Sequence, residues 1–266
     1  MPSARPSLLL IGWGAIGRLV IERLGEHADM SVLVRAGRSE AARVALPERV
    51  GVVESLDALK TVPPVVVECG GHGAVREHGA AVLSRGAEFV VVSTGALADP
   101  ALFETLKKAA EQGNGRLSLV SGAVGGIDAL AAAREGGLSK VVYTGRKPPA
   151  GWRGTAAEKV VDLDRISGPT EVYRGSAGEA ARRFPQNANV AATIALAGLG
   201  LDATEATLIA DPAATGNIHR IEAEGAFGRF SLEFSGKTLP SNPKTSMMAA
   251  LSVVRAVRNR IGRVSI

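Results

Sequence analysis

Residues 8–17 read LLLIGWGAIG. The four apolar residues are typical of a strand that is buried on both faces of a parallel sheet. Glycines then follow the G-x-G-x-x-G spacing, and apolar residues recur at helical spacing from Ile16 to Leu24. A strand, a glycine turn and a helix in this order begin a dinucleotide-binding fold, in which the helix N-terminus attracts the pyrophosphate. The predicted cofactor-binding residues of the turn are Gly12, Gly14, Ala15, Ile16 and Gly17.

The end of the second predicted strand bears on which dinucleotide is bound. That strand covers residues 30–34 and is followed by Arg35, with Arg38 and Ser39 close behind. An NAD-selective site often has Asp or Glu here, whereas a guanidinium can hold the 2′-phosphate of NADP. We therefore predict NAD or NADP as the cofactor, with Arg35 as a cofactor-binding residue. The alternative, that these arginines are exposed surface charges, stays open.

The rest of the first half alternates strands and helices. Apolar runs predict strands at 65–69, 89–92 and 117–120, and helical patterns fill 74–84 and 100–111, the second of them capped by Asp99. This alternation predicts a Rossmann-type doubly wound parallel sheet, which forms a dinucleotide-binding domain over residues 1–125. Two residues with reactive side chains lie near the end of the strand at 65–69. Cys69 is its last residue, and we interpret it as structural; His72 follows it, and a place in the nicotinamide pocket competes there with capping or exposure.

The second half predicts an α+β domain over residues 126–239 with a mostly antiparallel sheet. Strands are predicted at 140–144, 206–210, 217–224 and 227–234. A basic, proline-bearing loop is expected at 145–153, and helices at 178–183 and 189–199, with Asn189 as a possible N-cap. A helical pattern from Lys244 to Arg258 predicts a C-terminal helix, within residues 240–266, that packs back on the first domain.

The composition limits the class of protein. The 266 residues are 46% hydrophobic and 21% charged, which is typical of a folded globular protein. No apolar run reaches the roughly 18 residues of a membrane span, and one cysteine with four histidines leaves little material for a metal site, so we expect neither membrane nor metal. The single cysteine favours a reducing compartment, here the cytoplasm. The net charge of +5 suits anionic ligands, but nucleic acid is disfavoured because the basic residues are dispersed.

His219 is the most informative residue of the second half. At period 2 it shares a strand face with Ile221 and Ala223, whereas Arg220 and Glu222 take the other face. A lone histidine on an apolar face is more often structural than catalytic. From the pattern alone both interpretations stay open.

Several short segments resemble the L-aspartate dehydrogenase family, and they occur in order over essentially the whole chain. They are GWGAIG at 12–17, SGAVGGID at 121–128, RKPP at 146–149, FPQNANVAAT at 184–193, ADP at 210–212, NIH at 217–219 and NPKTS at 242–246. The first segment is generic, but the others together are specific. The resemblance implies an NAD(P)-dependent oxidoreductase that converts L-aspartate through iminosuccinate to oxaloacetate and ammonia, reversibly, and that has a role in NAD biosynthesis.

The resemblance also implies roles for individual residues. The family's catalytic histidine corresponds to His219, and its cofactor contacts correspond to Ala123 and Asn189. A histidine suits the proton transfers of deamination, because its pKa lies near neutrality. The two carboxylates of the substrate need cationic or hydrogen-bonding partners. Candidates for these partners are Arg146, Lys147, Arg153 and Lys244, the last followed by the hydroxyls of Thr245 and Ser246. The alternative, that each charge is a solvated surface charge, stays open.

Two alternatives to this activity are kept. One is a related two-domain reductase that acts on another dicarboxylate or on an aspartate-derived semialdehyde. The other is a non-catalytic protein that senses NAD(P). Enzymes with this domain plan are commonly oligomeric, so we expect a homodimer formed through the sheet of the second domain. The preference between NAD and NADP and the physiological direction stay open.

Overall fold

The computed structural model describes residues 5–185 and 188–266. Its internal contacts divide the chain into two compact units. Unit 1 comprises the chain up to Val120 together with Leu239–Thr245 and Ala249–Ile266, and unit 2 comprises Ser121–Thr238 and Ser246–Met248. Each unit has its own sheet and its own hydrophobic core.

Unit 1 is built on a parallel sheet of six strands. In chain order these are β1 (Ser7–Ile11), β2 (Asp29–Leu33), β3 (Gly51–Val53), β4 (Val65–Glu68), β5 (Glu88–Val91) and β6 (Arg116–Leu119). In space their order is β3-β2-β1-β4-β5-β6, and every pair is parallel. The strand order reverses between β1 and β4, which is where such sheets bind ligands beyond their carboxyl ends. The predicted Rossmann-type sheet is confirmed.

Four helices connect these strands. They are α1 (Ala15–Leu24), α2 (Ser39–Ala45), α3 (His72–Ser84) and α4 (Pro100–Gly113). The predicted start of α4 is confirmed, since the Asp99 carboxylate accepts hydrogen bonds from the backbone N–H groups of Ala101 and Leu102. Buried aliphatic side chains of β1, β2 and α1, such as Leu8, Val32 and Val20, form the core of the unit.

Unit 2 is built on a mixed sheet of five strands. Its helix α5 (Ile127–Glu135) precedes β7 (Leu138–Lys147) and β8 (Thr170–Ser176), then come α6 (Ala177–Arg183), α7 (Ala188–Ala197), β9 (Glu205–Ala210), β10 (Asn217–Gly225) and β11 (Gly228–Gly236). The spatial order is β11-β10-β7-β9-β8. Only the β7–β9 pair is parallel, so the mostly antiparallel sheet that the sequence predicts is confirmed.

The core of unit 2 joins one face of this sheet to its helices. Apolar residues of β7, β9 and β10, such as Val141, Leu208 and Ile221, lie in one cluster with Ile194 of α7 and Leu130 of α5. His219, Ile221 and Ala223 are buried and Arg220 is exposed, as the period of the strand predicts.

The C-terminal segment contains a short hairpin and a long helix. The hairpin strands are β12 (Thr238–Leu239) and β13 (Asn242–Ser246), and the helix α8 spans Met247–Ile261. Val253, Val254 and Val257 of α8 lie in the same core cluster as β1 and β2 of unit 1.

Three local predictions are wrong. Residues 145–147 continue β7 and are not a loop, because β10 and β9 pair with Arg146 and β9 pairs with Lys147. Lys244 lies in β13 and not in a helix, because residues 242–246 pair with β12 before the helix begins. Asn189 is the second residue of α7 and not its N-cap, because the helix already begins at Ala188.

Candidate active site

A large cavity in unit 1 opens at the reversal of strand order. It has a volume of about 1080 Å³ and lies beyond the carboxyl ends of β1, β2 and β4. Its wall includes Gly12, Gly14, Ala15 and Arg35, which are four of the cofactor-binding residues that the sequence predicts for this unit. Ile16 and Gly17, the other two predicted residues of the turn, are not among the residues that line it.

The three glycines of the turn meet three different spatial requirements. Gly12 has a φ of +91°, and a Cβ there would lie 2.9 Å from the Cα of Gly70, so the strand-end loops after β1 and β4 touch at this point. A Cβ on Gly14 would meet nothing within 4 Å, which leaves room for a ligand beside the backbone. A Cβ on Gly17 would lie 2.5 Å from the carbonyl oxygen of Gly12, so α1 packs closely on the turn. This is the division of labour that a pyrophosphate-binding turn requires.

The start of α1 adds an electrostatic reason for anion binding. The N-cap of α1 is Gly14, and a glycine has no side chain that could accept a hydrogen bond from the first N–H groups of the helix. The first turn of α1 holds no acidic residue. The first N–H groups of the helix and the positive end of its dipole are therefore available to a phosphate. With the open space at Gly14, these features fit the pyrophosphate of a dinucleotide.

Arginines surround one end of the cavity. Arg35 and Arg38 are exposed and line it after β2. Arg18 lies over the Trp13 ring, with its guanidinium carbon 4.5 Å from the ring centroid, and its Nε donates a hydrogen bond to the Trp13 carbonyl oxygen at 3.2 Å. No acidic residue follows β2 directly, so the cavity offers cations where a 2′-phosphate would need them.

Sequence reasoning did not identify Glu68, a fully buried carboxylate at the end of β4. It accepts hydrogen bonds from the backbone N–H groups of Gly71 at 2.6 Å and Ser93 at 2.9 Å, and from the Ser93 hydroxyl at 3.0 Å. Burial raises its pKa, and these hydrogen bonds oppose the rise. Glu68 thus ties together the loops that follow β4 and β5. A charged residue directly after three valines was the available signal.

Cys69 follows Glu68 in the chain and is one of the residues that line the cavity. Burial, together with the neighbouring Glu68 carboxylate, raises the pKa of its thiol well above the usual value. A thiol in this state is a poor nucleophile, which agrees with its interpretation as a structural residue. His72 is the first residue of α3.

In unit 2, His219 lies in the middle of the sheet on the face that packs against the helices. Its neighbours across the strands are Gly145 of β7 and Phe234 of β11. The side chain is only 5% exposed. Burial, together with the positive charge of Lys147, lowers the pKa of His219 to about 4. The imidazole is therefore uncharged at neutral pH.

Tyr143 is a neighbour of His219 that the sequence did not reveal. Its hydroxyl lies 3.0 Å from Nδ1 of His219, and the two rings are stacked at 6.0 Å between centroids with 25° between their planes. The side chain is fully buried, and burial raises the pKa of the hydroxyl. The two residues are 76 positions apart in the chain, so only the pairing of β7 with β10 brings them together.

Lys147 lies further along β7, on the same strand face as Tyr143 and Gly145. Its Nζ is 5.3 Å from the centroid of the Trp152 ring. Burial lowers its pKa to about 8, so it is mostly charged at neutral pH. Among the residues that the structure describes, no carboxylate forms an ion pair with Lys147. Its charge is thus available to a ligand.

The other candidates for substrate binding are less available or lie elsewhere. Arg146 contacts the buried Asp211 at 3.4 Å, and Arg153 pairs with Asp164. Lys244 is exposed and Thr245 is half-buried, and both lie on β13 in unit 1.

The residues that the family resemblance adds are in unit 2. Ala123 is partly buried and packs against the core that contains Tyr143. Asn189 is exposed in the first turn of α7. Gln186 and Asn187, which belong to the segment at 184–193, lie outside the described residues.

The described part of the chain contains neither a metal-binding cluster nor a helix that could span a membrane. Residues 5–185 and 188–266 contain no group of three His, Cys, Asp or Glu side chains that could hold a metal ion. No helix within these same ranges combines the length and the apolar character needed to cross a membrane.

Comparisons with known proteins show which family the chain resembles. Residues 128–260 match the family model described as aspartate dehydrogenase, C-terminal, and residues 12–119 match the NAD-binding domain of homoserine dehydrogenase. The chain is 49% identical over 263 residues to an L-aspartate dehydrogenase of Ralstonia nicotianae. This alignment covers 97% of this chain and 98% of the relative. It is 50% identical over 257 residues to an L-aspartate dehydrogenase of Ruegeria pomeroyi, with coverage of 96% and 93%. The crystal structure of an aspartate dehydrogenase from Thermotoga maritima superposes with a TM-score of 0.80 at 27% identity, covering 98% and 99% of the two chains.

Proposed function

The chain belongs to the aspartate dehydrogenase family, and on that premise we propose that it catalyses the reversible NAD(P)-dependent oxidative deamination of L-aspartate to oxaloacetate and ammonia through iminosuccinate. The observation that carries the proposal is the group formed by the uncharged His219 and the cationic Lys147, which pairs with no carboxylate of the described residues, on one face of the sheet of unit 2. A base and a carboxylate-binding cation are the two groups that a dicarboxylic amino acid requires.

Unit 1 binds the cofactor in this proposal. The turn at Gly12 and Gly14 and the start of α1 hold the pyrophosphate, and Arg35 and Arg38 attract a 2′-phosphate where one is present. Ala123 and Asn189 keep the cofactor-binding role that the family implies. When bound, the cofactor would supply the nicotinamide as acceptor for the hydride from the substrate Cα. Because the cavity offers both the glycine turn and the arginines, both NAD and NADP are used.

His219 moves the protons. Its uncharged imidazole takes a proton from the substrate ammonium, because only the neutral amine can push its lone pair toward Cα as the hydride leaves. The ring releases this proton to solvent and is then neutral again. It takes a second proton from the water that adds to the imine carbon and returns it to the nitrogen, which leaves as ammonia. Burial and the charge of Lys147 lower the pKa of His219 to about 4. A bound dicarboxylate offsets the charge of Lys147 and thereby raises the basicity of the ring.

Lys147 binds one substrate carboxylate. Its partly buried ammonium has no competing carboxylate in the described structure, whereas Arg146 and Arg153 already have theirs. A charge-assisted hydrogen bond in such a site is stronger than one at an exposed surface. Lys244 and Thr245 are our candidates for the second carboxylate.

The test is an assay at 340 nm with L-aspartate and with NAD and NADP side by side, and in reverse with oxaloacetate, ammonia and reduced cofactor. We expect turnover in both directions and with both cofactors. The variant His219→Ala is expected to keep the cofactor affinity of the wild type and to lose most of its turnover, because the cofactor elements of unit 1 are unchanged. Absence of turnover in both directions by folded, cofactor-bound protein would contradict the proposal. Unchanged turnover of the variant would remove His219 from the mechanism.

We further propose a cytoplasmic homodimer that supplies iminosuccinate for the pyridine ring of NAD. Support for the dimer comes from the sheet of unit 2, where Val142, Thr144 and Ile218 face away from the core and stay partly exposed. The nucleotide cofactor and the single, unpaired cysteine suit the cytoplasm. Light scattering after gel filtration measures the mass, and a monomer over the whole concentration range would contradict the dimer.

A further inference from the structure

We propose that Tyr143 is a positioning residue that holds Nδ1 of His219 and leaves Nε2 as the atom that exchanges protons with the substrate, and that Gly145 is required because it makes room for the Tyr143 hydroxyl. This inference rests on the proposed function, since it concerns how His219 performs its role there.

The hydrogen bond decides which ring nitrogen is free. The hydroxyl oxygen of Tyr143 lies 3.0 Å from Nδ1 of His219, so this nitrogen is occupied inside the protein. Both side chains are buried, and the rings are stacked, which restricts rotation of the imidazole. Nε2 is the ring nitrogen that remains for a ligand.

A ring that takes a proton at Nε2 must already carry its own hydrogen on Nδ1. The Tyr143 oxygen is then the acceptor for that N–H. When the proton arrives at Nε2, the ring becomes a cation and the Nδ1–H···O hydrogen bond becomes charge-assisted and stronger. Tyr143 itself stays protonated throughout, because burial raises its pKa. The same logic applies to the third group of a catalytic triad, which orients a histidine base.

Gly145 is explained by space and not by backbone angle. It lies directly opposite His219 on the neighbouring strand, and it is not among the glycines with positive φ. A Cβ at this position would lie 2.6 Å from the Tyr143 hydroxyl oxygen, 3.0 Å from Cδ2 of Leu208 and 3.1 Å from Cζ of Tyr143, so the hydroxyl is the nearest of the three atoms. Glycine weakens a strand interior, so its presence here is a cost that the close approach of the tyrosine accounts for.

The kinetic test compares four variants with the wild type. Tyr143→Phe keeps the ring and removes the hydroxyl, and we expect kcat for aspartate to fall by about 10- to 100-fold, as is typical when an orienting partner is lost, with KM and cofactor affinity close to the wild type. Gly145→Ala should lower kcat similarly while the hydroxyl is still present, because the new methyl group displaces it. The double variant Tyr143→Phe/Gly145→Ala lacks the hydroxyl oxygen that the new methyl group would meet. The kcat of this double variant should therefore equal that of Tyr143→Phe. Tyr173→Phe is the matched control and should keep the wild-type kcat.

A second measurement reads the ring directly. ¹⁵N NMR of histidine-labelled protein, with His219 assigned from a His219→Asn variant, reports which nitrogen carries hydrogen at neutral pH. We expect the hydrogen on Nδ1 in the wild type, and in Tyr143→Phe a shift of the population toward Nε2–H. This readout does not depend on turnover.

The outcomes separate the two proposals. A wild-type enzyme without aspartate turnover contradicts the proposed function, and the NMR result then still tests the contact between the two rings. A wild type that turns over aspartate, with unchanged kcat and unchanged tautomer in Tyr143→Phe, overturns the role of Tyr143 alone. A double variant with a much lower kcat than Tyr143→Phe overturns the explanation of Gly145.

Discussion

β7 and β8 each carry a tyrosine two residues before a glycine, and the two tyrosines end on different kinds of partner. On β7, Tyr143 passes over Gly145 and reaches the imidazole of His219. On β8, Tyr173 passes over Gly175 and donates a hydrogen bond to the Ser176 carbonyl oxygen at 2.9 Å, with the half-exposed Glu179 carboxylate as a second neighbour at 3.3 Å. The local packing is the same on both strands. Each tyrosine side chain lies along its own strand, and the residue two positions on is a glycine that leaves room for it.

The difference lies in what stands at the end of each tyrosine. Ser176 is the N-cap of α6, where its hydroxyl accepts from the Glu179 N–H at 3.2 Å, so the Tyr173 hydroxyl fastens a strand to a helix. His219 is the third residue of β10, and its imidazole can take up and release a proton. The Tyr143 hydroxyl therefore holds a side chain that can act as a base. Burial alone does not separate the two roles, since both tyrosines are buried. The chemistry of the partner separates them.

The largest expected effect concerns stability in acid, because only the β7 pair holds a titratable ring. The pKa of His219 is about 4 in the folded protein against 6.5 as its ordinary value. As the pH falls from 6.5 to 4, the unfolded chain binds a proton that the folded chain does not, so this residue lowers the free energy of unfolding by about 3 kcal/mol over that range. Above pH 6.5 both states are neutral and the effect vanishes.

Urea unfolding of the wild type and of His219→Asn at pH 7 and pH 5 measures this effect. The wild type should lose more stability than the variant on going to pH 5, by about 2 kcal/mol, because all other titrating groups are shared. An equal loss in the two proteins would show that His219 is not held uncharged, and the contrast between the two tyrosines would lose its electrostatic basis.

The second effect is on substrate binding and on the pH dependence of the activity. Lys147 lies beyond Gly145 on β7, and its positive charge helps to lower the pKa of His219. Lys147→Met should raise KM for aspartate by about 10- to 100-fold, since a charge-assisted hydrogen bond is lost. Without this charge the pKa of His219 rises, so the acid limb of kcat/KM should move to higher pH. The alkaline limb near pH 8, where Lys147 loses its proton, should disappear.

The control for this prediction is Lys140→Met, an exposed lysine near the other end of the same strand. It removes the same charge from the same strand and should leave KM and the pH profile unchanged. If both variants shift the acid limb equally, the effect comes from the overall charge of the protein, and the assignment of a substrate carboxylate to Lys147 is wrong.

The sequence predicted those parts of the molecule whose signal is local. The strand and glycine turn at 8–17 lie within ten residues, and the Asp99 cap lies next to the helix that it begins. The strands β3 and β8 escaped prediction for physical reasons. β3 has only three residues, too few for a pattern, and the register of β8 shifts between Glu171 and Tyr173, which breaks the period of two.

The candidate site could be predicted only in part. The period of β10 placed His219 on the buried face, but its hydrogen bond to Tyr143 depends on the register of two strands far apart in the chain. Arg146 and Lys147 were assigned to a loop because charge and the following prolines suggested one. The structure shows that pairing with β9 and β10 carries the strand through both residues and turns them to opposite faces. These neighbouring residues therefore differ in their partners. Arg146 contacts the Asp211 carboxylate, whereas Lys147 pairs with no carboxylate of the described residues.

The smallest expected effect tests whether the β8 pair is structural only. A methyl group in Gly175→Ala would run into the Tyr173 hydroxyl and lie 2.9 Å from its Cζ, so the ring must move and its hydrogen bond to Ser176 is lost. Overpacking of this kind costs about 1–3 kcal/mol, which a urea midpoint detects. The kcat for aspartate should stay at the wild-type value, because Tyr173 does not contact His219. Gly145→Ala creates a similar clash on β7 and should lower kcat as well. A loss of kcat in Gly175→Ala at a temperature where the protein is still folded would mean that β8 also shapes the active site, and the two pairs would then differ in degree and not in kind.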